Sequence, residues 1–310
     1  MKEEKTMSNT LSTKIDFAII FSVKKANPNG DPLNGNRPRT DYDGYGEVSD
    51  VCLKRKIRNR LQDMGEAIFV QSDDNRKDEY RSLKERFENL QEIKELSNIK
   101  DKKEKAKIRE KQREIACKTW YDVRAFGQVF AFSGGNEDSD SVSIGVRGPV
   151  TIQNAVSLKP VDISSLQITK SVNLVTNESD PDKKSSDTMG MKHRVEQGVY
   201  IAYGSINCQL AEKTGFSDED AEKLLKALQT MFVNDESSAR PSGSMKIEKV
   251  VWWKHNCKNG QYASADVHNS IEVMLDDKGN FKEIIVKAEL KGLEPQIIDG
   301  INYAADSTNG

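Results

Sequence analysis

The sequence predicts an α+β fold, and three observations carry that prediction. Residues 15–23 (IDFAIIFSV) are a nearly continuous apolar run rich in Ile, Phe and Val, the pattern of a strand buried on both faces. Ser217 precedes a segment with Glu219 and Asp220 in its first turn and Ala221, Leu224, Leu225, Leu228 and Phe232 on one helical face. Between and beyond them lie short valine- and aromatic-rich runs punctuated by glycine, which read as strands joined by turns.

Taken in order, the first strand leads through a Gly/Pro/Asn loop to Ser49, an N-cap, and then to a helix with Leu53, Ile57, Leu61 and Met64 on its apolar face. Lys54, Arg55, Lys56, Arg58 and Arg60 fall off that face. Residues 76–114 carry fourteen basic and ten acidic side chains with sparse apolar positions such as Leu83, Phe87 and Leu90, so they predict one or two exposed, ion-pair-laced helices inserted into the domain. Residues 120–132 and 142–156 predict core strands, with turns at Ser133-Gly134-Gly135 and Gly148-Pro149. Residues 176–192 lack apolar periodicity and read as a mobile excursion, after which 200–210 resume as strand. Residues 247–253 predict a further strand, and 267–275 with 281–290 a hairpin about Asp277-Lys278-Gly279-Asn280. Without the insertions the order is strand, helix, strand, strand, helix, strand, the ferredoxin-like order shared by RNA-recognition domains. With no internal repeat or linker, 14–310 reads as a single domain of this kind behind a disordered polar tail at 1–13.

The net charge of −2 argues against indiscriminate binding to polyanions, but the charge is unevenly placed. Residues 24–60 hold nine Lys/Arg against five Asp/Glu, while 261–310 hold four against nine, which suits a chain that binds nucleic acid with one surface or stacks unlike faces on its own copies. The cysteines, Cys52, Cys117, Cys208 and Cys257, form no CxxC pair, so neither a zinc ribbon nor a disulfide framework is expected, and a reducing cytoplasm fits. No segment has the apolar length of a signal peptide core or membrane span, so no membrane association is expected.

The chemistry concentrates in the loop NPNGDPLNGNRPRTD and the helix after it. Gly30, Gly35, Gly44 and Gly46 permit close backbone approach to a phosphate, and Asn27, Asn29, Asn34 and Asn36 offer hydrogen-bonding groups. Arg37 and Arg39 supply charged forks, and Lys54, Arg55 and Arg58 extend the cationic surface. A turn-rich loop before an ordinary amphipathic helix is the plainer alternative. Residues 124–131 (RAFGQVFA) match an RNA-recognition strand motif at Arg124, Phe126, Gly127 and Val129 but not at Ala125, Gln128 or Ala131, and Phe126, Phe130 and Phe132 read as core packing before base stacking. His193, His255 and His268 form no metal-ligand spacing, no phosphate-binding GxxxxGK[ST] loop exists, and no cofactor is expected. Asp31 is the one carboxylate placed for hydrolysis, with turn stabilisation the competing role. His193 and Arg194 lie just after the excursion, and Met189 and Met191 at its end, where apolar tips can wedge between unstacked bases.

The blocks NPNGDP at 27–32, RPRTDYDGYGEVSDVCLKRKIRN at 37–59, DVRAFG at 122–127, RGPVTIQNAVSL from Arg147 and HRVEQGVYIAYG from His193 closely resemble the backbone subunits of Cascade, the family-seven Cas proteins, in the branch belonging to type I-C CRISPR systems. The resemblance runs from Ile15 to about Lys254. It implies a modified RNA-recognition palm with inserted helical fingers, at about 24–48 and 65–118, and an extended thumb at about 155–195. It also implies a non-enzymatic scaffold for antiviral defence, several copies of which polymerise along the CRISPR guide RNA with other Cascade subunits and present it to a target DNA strand. On that resemblance Asn27, Asn29, Arg37, Arg39, Lys54, Arg55 and Arg58 track the guide backbone, Arg124, His193 and Arg194 add contacts, and Met189 or Met191 tips the thumb. Related backbone subunits of type III complexes cleave target RNA with a loop aspartate, which leaves a metal-dependent ribonuclease centred on Asp31 as the alternative.

Overall fold

Alternation along the first strand, β1 (Ile15–Ala26), explains its unbroken apolarity. Ile15, Phe17, Ile19, Phe21 and Val23 enter one core while Ala18 and Ile20 enter another on the opposite face. The computed structural model describes residues 10–97, 104–131, 143–169 and 189–301. Residues 10–13 belong to the fold rather than to a tail: Leu11 is buried and its N–H donates to Phe216 O at 3.0 Å. The remainder of the expected tail lies outside the described residues.

After β1 the loop makes a small ribbon of β2 (Gly30–Asp31) and β3 (Arg37–Pro38), then β4 (Tyr45–Val48) and the helix α1 (Asp50–Asp63). Ser49 caps α1 as expected, its hydroxyl accepting from Cys52 N, and Leu53, Ile57 and Leu61 are fully buried. Burial of each such side chain contributes about 1.5–3 kcal/mol. Lys56 departs from the expected solvated face: it is 3% exposed and ion-paired with Asp235. Desolvation lowers its pKa from the usual lysine value.

The charged insertion forms α2 (Leu83–Glu88), α3 (Gln91–Ser97) and α4 (Lys105–Thr119), more helix than expected. It builds its own core, in which Phe87 and Ile93 pack with Phe69, Trp120 and Phe130. The next segment corrects the sequence reading, since residues 121–126 form a helix, α5 (Tyr121–Phe126), rather than a strand. The buried Asp122 carboxylate explains this, because it accepts from Phe69 N at 2.7 Å and Val70 N at 3.0 Å, tertiary partners that short-range pattern cannot reveal. Only β5 (Gly127–Phe130) is extended, and it pairs with β6 (Ile144–Arg147) away from the main sheet. The motif at 124–131 therefore offers no central-sheet aromatics, and Phe130 is core as the plainer reading held. Phe132, the Ser133-Gly134-Gly135 turn and Val142 lie outside the described residues.

The main sheet continues with β7 (Val150–Ile152), β8 (Ala155–Pro160), β9 (Ile163–Thr169) and the long β10 (Met189–Ile206). β10 begins inside what the sequence marks as the excursion, and it ends earlier than expected because Asn207 caps α6 (Cys208–Thr214) by accepting from Leu210 N. Then come α7 (Asp218–Gln229), with a capping box between Ser217 and Asp220, β11 (Met245–Lys254), α8 (Ser264–Asn269), the hairpin β12 (Ile271–Leu275) and β13 (Phe281–Val286), and β14 (Gln296–Asp299). The principal sheet path is β14-β11-β1-β10-β8-β4, antiparallel throughout. Side chains of α1 and α7 fill the core on one face, and those of α8 and the β12–β13 hairpin contribute to the core on the other. Among the described residues no helix is long and apolar enough to cross a membrane.

Candidate nucleic-acid interface

The asparagines after β1 wire the loop internally before they can serve a ligand. Asn27 is buried, its N–H donating to Ala239 O at 2.9 Å and its Nδ2 to Asn36 O at 2.7 Å. Asn29 Oδ1 accepts from both Ser49 N and Ser49 Oγ at 2.9 Å, tying the loop to the cap of α1. Two of the glycines are needed for fit within the chain: a Cβ on Gly30 would overlap the Asn36 amide, and one on Gly46 the Tyr200 hydroxyl. Asp31 takes the turn-stabilising role, accepting from Leu33 N at 3.2 Å and lying 3.6 Å from Arg39 Nη2. Leu33, 98% exposed, and Tyr42, fully exposed, are left at the loop tips.

Ion pairing sorts the cations. Arg58 Nε lies 3.0 Å from the Asp122 carboxylate and its guanidinium covers the Phe126 ring, so its charge is spent inside the fold. Arg124 forks onto Asp220 at 3.0 and 2.8 Å and covers Tyr121. Arg124 borders a pocket between α4 and the start of α7, shared with Lys118, Lys213 and Lys223, and not the loop that follows β1. Lys54 pairs with Asp50 at 3.0 Å on the surface of α1, and Arg194 Nε with Glu196 at 3.0 Å and Ser164 Oγ at 3.2 Å. Arg37 and Arg55 have no carboxylate within ion-pair distance among the described residues, and Arg37 Nη1 instead donates to Ser165 Oγ at 3.1 Å.

Ser165 belongs to a projecting hairpin. β10 pairs with β1 only as far as Val195, opposite Ala26; from there to Met189 it pairs with β9 alone. This two-stranded arm extends about 20 Å at strand rise. Of the stretch expected as thumb at about 155–195, β8 belongs to the sheet, β9 and the start of β10 form the arm, and residues 170–188 lie outside the described residues. The register sets Met189, Met191 and His193 on one face with Thr169, Gln167 and Ser165 opposite them. Met189 is 65% and Met191 54% exposed, while Leu166 and Ile168 are exposed on the other face. His193 Nδ1 lies 2.8 Å from Ser165 Oγ.

The root of this arm gathers more than the sequence reading assigned. The loop at 234–244 docks there, with Ser244 O accepting from Lys24 N at 2.8 Å and Arg240 Nε 2.9 Å from Asp235. Lys24 and Lys25 are exposed at the end of β1. Asn27 Oδ1, Arg39 Nε and Ser244 Oγ are buried without a hydrogen-bond partner, which is costly unless a polar ligand engages them. Lys24 and Lys25 were legible as charge at a strand end. Arg240, Ser165 and Ser244 carried no local signal, because only long-range packing brings them here. Among the described residues, no three or more His, Cys, Asp or Glu side chains cluster in a way that could hold a metal ion.

Several known proteins resemble this chain. A CRISPR-associated protein Cas7 of Haloferax volcanii is 24% identical over 286 residues, covering 89% of this chain and 79% of that one. Two solved chains, described as "CRISPR RNA-guided surveillance complex, pre-nicking" and "CRISPR RNA-guided surveillance complex", superpose with TM-scores of 0.45 and 0.40 at 14% and 16% identity. The first alignment covers 78% of each chain, the second 78% of this chain and 69% of the other. The family model for CRISPR-associated protein Cas7 matches residues 13–289, nearly the full length, and this chain belongs to that family.

Proposed function

We propose that this chain is a non-catalytic guide-RNA-binding backbone subunit of a CRISPR RNA-guided surveillance complex, of the type I-C Cascade branch. The observation that carries the reading is the root of the β9–β10 arm. There an unpaired Arg37, exposed Lys24 and Lys25, and the orphaned buried atoms of Asn27, Arg39 and Ser244 meet beside a projecting apolar hairpin. Cations and backbone-directed polar groups suit phosphate and ribose contacts that accept any spacer, and target choice is left to base pairing. The exposed Met189 and Met191 suit a wedge that displaces a base of the guide.

The palm reads as an RNA-recognition domain, supported by the antiparallel spatial order β11-β1-β10-β8 with α1 and α7 on one face. Several copies stack along the guide, beside other complex subunits, and present it to a target DNA strand. Four free cysteines fit a reducing cytoplasm. Arg37, Arg39, Arg55 and the arm residues are the working contacts, with Asn27 and Asn29 shaping the loop, whereas Arg58 and Arg124 serve the fold. The ribonuclease alternative is not favoured, since Asp31 is committed to its turn and to Arg39.

The test is to express the chain with and without a guide-length RNA and measure particle mass, RNA protection and Mg²⁺-dependent cleavage across a salt titration. Guide-dependent multi-copy particles that protect RNA of any sequence are expected. A monomer without salt-sensitive RNA binding refutes the reading, and cleavage lost in Asp31→Ala replaces it with the nuclease.

A further inference from the structure

We propose that Arg37, Ser165 and His193 form a relay that reads the ribose 2′-hydroxyl and so makes this chain prefer RNA to DNA. The inference rests on the arm root being the guide site. Arg37 Nη1 donates to Ser165 Oγ at 3.1 Å, and Ser165 Oγ lies 2.8 Å from His193 Nδ1. A guanidinium has no acceptor, so the Ser165 proton is directed to Nδ1 and the imidazole proton resides on Nε2. Among the described residues Nε2 has no hydrogen-bond partner, and the ring is only half-buried. The relay therefore holds an N–H donor in place from behind, so that little freedom is lost when it meets an acceptor.

What surrounds the donor identifies that acceptor. One side has the Arg37 guanidinium, without a carboxylate partner among the described residues, and two residues outward on the same strand face lies the exposed Met191. A cation reached through Ser165, a fixed donor, and an apolar side chain two residues along the same strand face as the donor thus lie side by side, suiting the phosphate, sugar and base of a nucleotide. The guanidinium serves the phosphate of either polymer. Only the 2′-hydroxyl gives the imidazole donor a partner that DNA lacks. None of the three groups needs a base edge, so the preference is independent of sequence.

The test measures binding of the full chain to an oligouridylate and to its 2′-deoxy counterpart of equal length by fluorescence anisotropy. The wild type is expected to favour the ribose strand, and Ser165→Ala and His193→Ala to lose about two- to tenfold of that preference, the effect of one neutral hydrogen bond. His193→Gln, which keeps an N–H donor, restores part of it. Arg37→Ala weakens both strands. Unchanged thermal melting of the Ser165 and His193 variants is the control for folding. A wild type without ribose preference, or a preference untouched by both alanine variants, overturns the relay and leaves the guide-binding reading standing. Binding to neither polymer at low salt overturns both.

Discussion

Replacing Arg58 by alanine separates folding from binding. Its guanidinium lies 3.0 Å from Asp122, whose carboxylate is 1% exposed and also accepts from the N–H groups of Phe69 and Val70. Removing one partner of a buried pair costs about 3–5 kcal/mol, and the two remaining N–H donors hold the loss toward the lower figure. For a chain of this length a loss of about 3 kcal/mol lowers the melting temperature by about 5 °C. Arg37, whose guanidinium among the described residues bonds to the Ser165 hydroxyl alone, should behave oppositely in Arg37→Ala: melting within about 2 °C of wild type, and a salt slope for single-stranded RNA shallower by about 0.7 per lost phosphate contact. Differential scanning fluorimetry and anisotropy across a salt series read both quantities on the same preparations. An Arg58→Ala protein that melts like wild type but binds with a shallower slope would refute the assignment of this cation to the interior.

Three further outcomes are expected. Gly46→Ala forces a methyl into the Tyr200 hydroxyl and should cost about 1–3 kcal/mol in denaturant unfolding, with Tyr200→Phe in the same chain relieving part of it. Burial lowers the pKa of His268 below its ordinary 6.5, so the unfolded chain takes up a proton that the folded one resists; stability should fall as pH drops through about 6.5, and the slope should flatten in His268→Phe. Met189→Ser with Met191→Ser should leave melting unchanged and weaken guide RNA by about fivefold per lost apolar contact, measured by anisotropy; full affinity would remove the arm tip from the interface.

The sequence revealed those elements whose own periodicity matches their burial. β1 is apolar because both its faces are covered, and α7 announces itself through its Ser217 cap and one apolar stripe. The hairpin between β12 and β13 was legible from its turn residues, where Asp276 accepts from Lys278 N and Asn280 N. The helix α5 was not legible, because six residues are too few to show a period and a valine-rich neighbourhood argues for strand. α6 and α8 were missed for the same reason of length. The loop and arm were legible as places rich in cations, asparagine and exposed methionine. Which cations remain available was hidden, since the deciding carboxylates lie 64 residues away for Arg58, 96 for Arg124 and 179 for Lys56.

That sorting changes what the cationic helix does. Nine basic residues between 24 and 60 look like one polyanion-binding surface, yet α1 turns Lys56 and Arg58 inward, toward Asp235 and Asp122. These pairs fasten the helix to the 234–244 loop and to α5, the elements flanking the arm root. A buried ion pair adds little net stability over a packed apolar pair, but it is strict about register, because any misplacement leaves a charge unpaired in the interior. Two of the nine cations thus fix where the loop stands, and on the proposed function Arg37 is foremost among those that meet the ligand. On this division a charge-conserving exchange such as Arg58→Lys should still loosen the fold, because lysine lacks the planar fork that both meets Asp122 and covers Phe126.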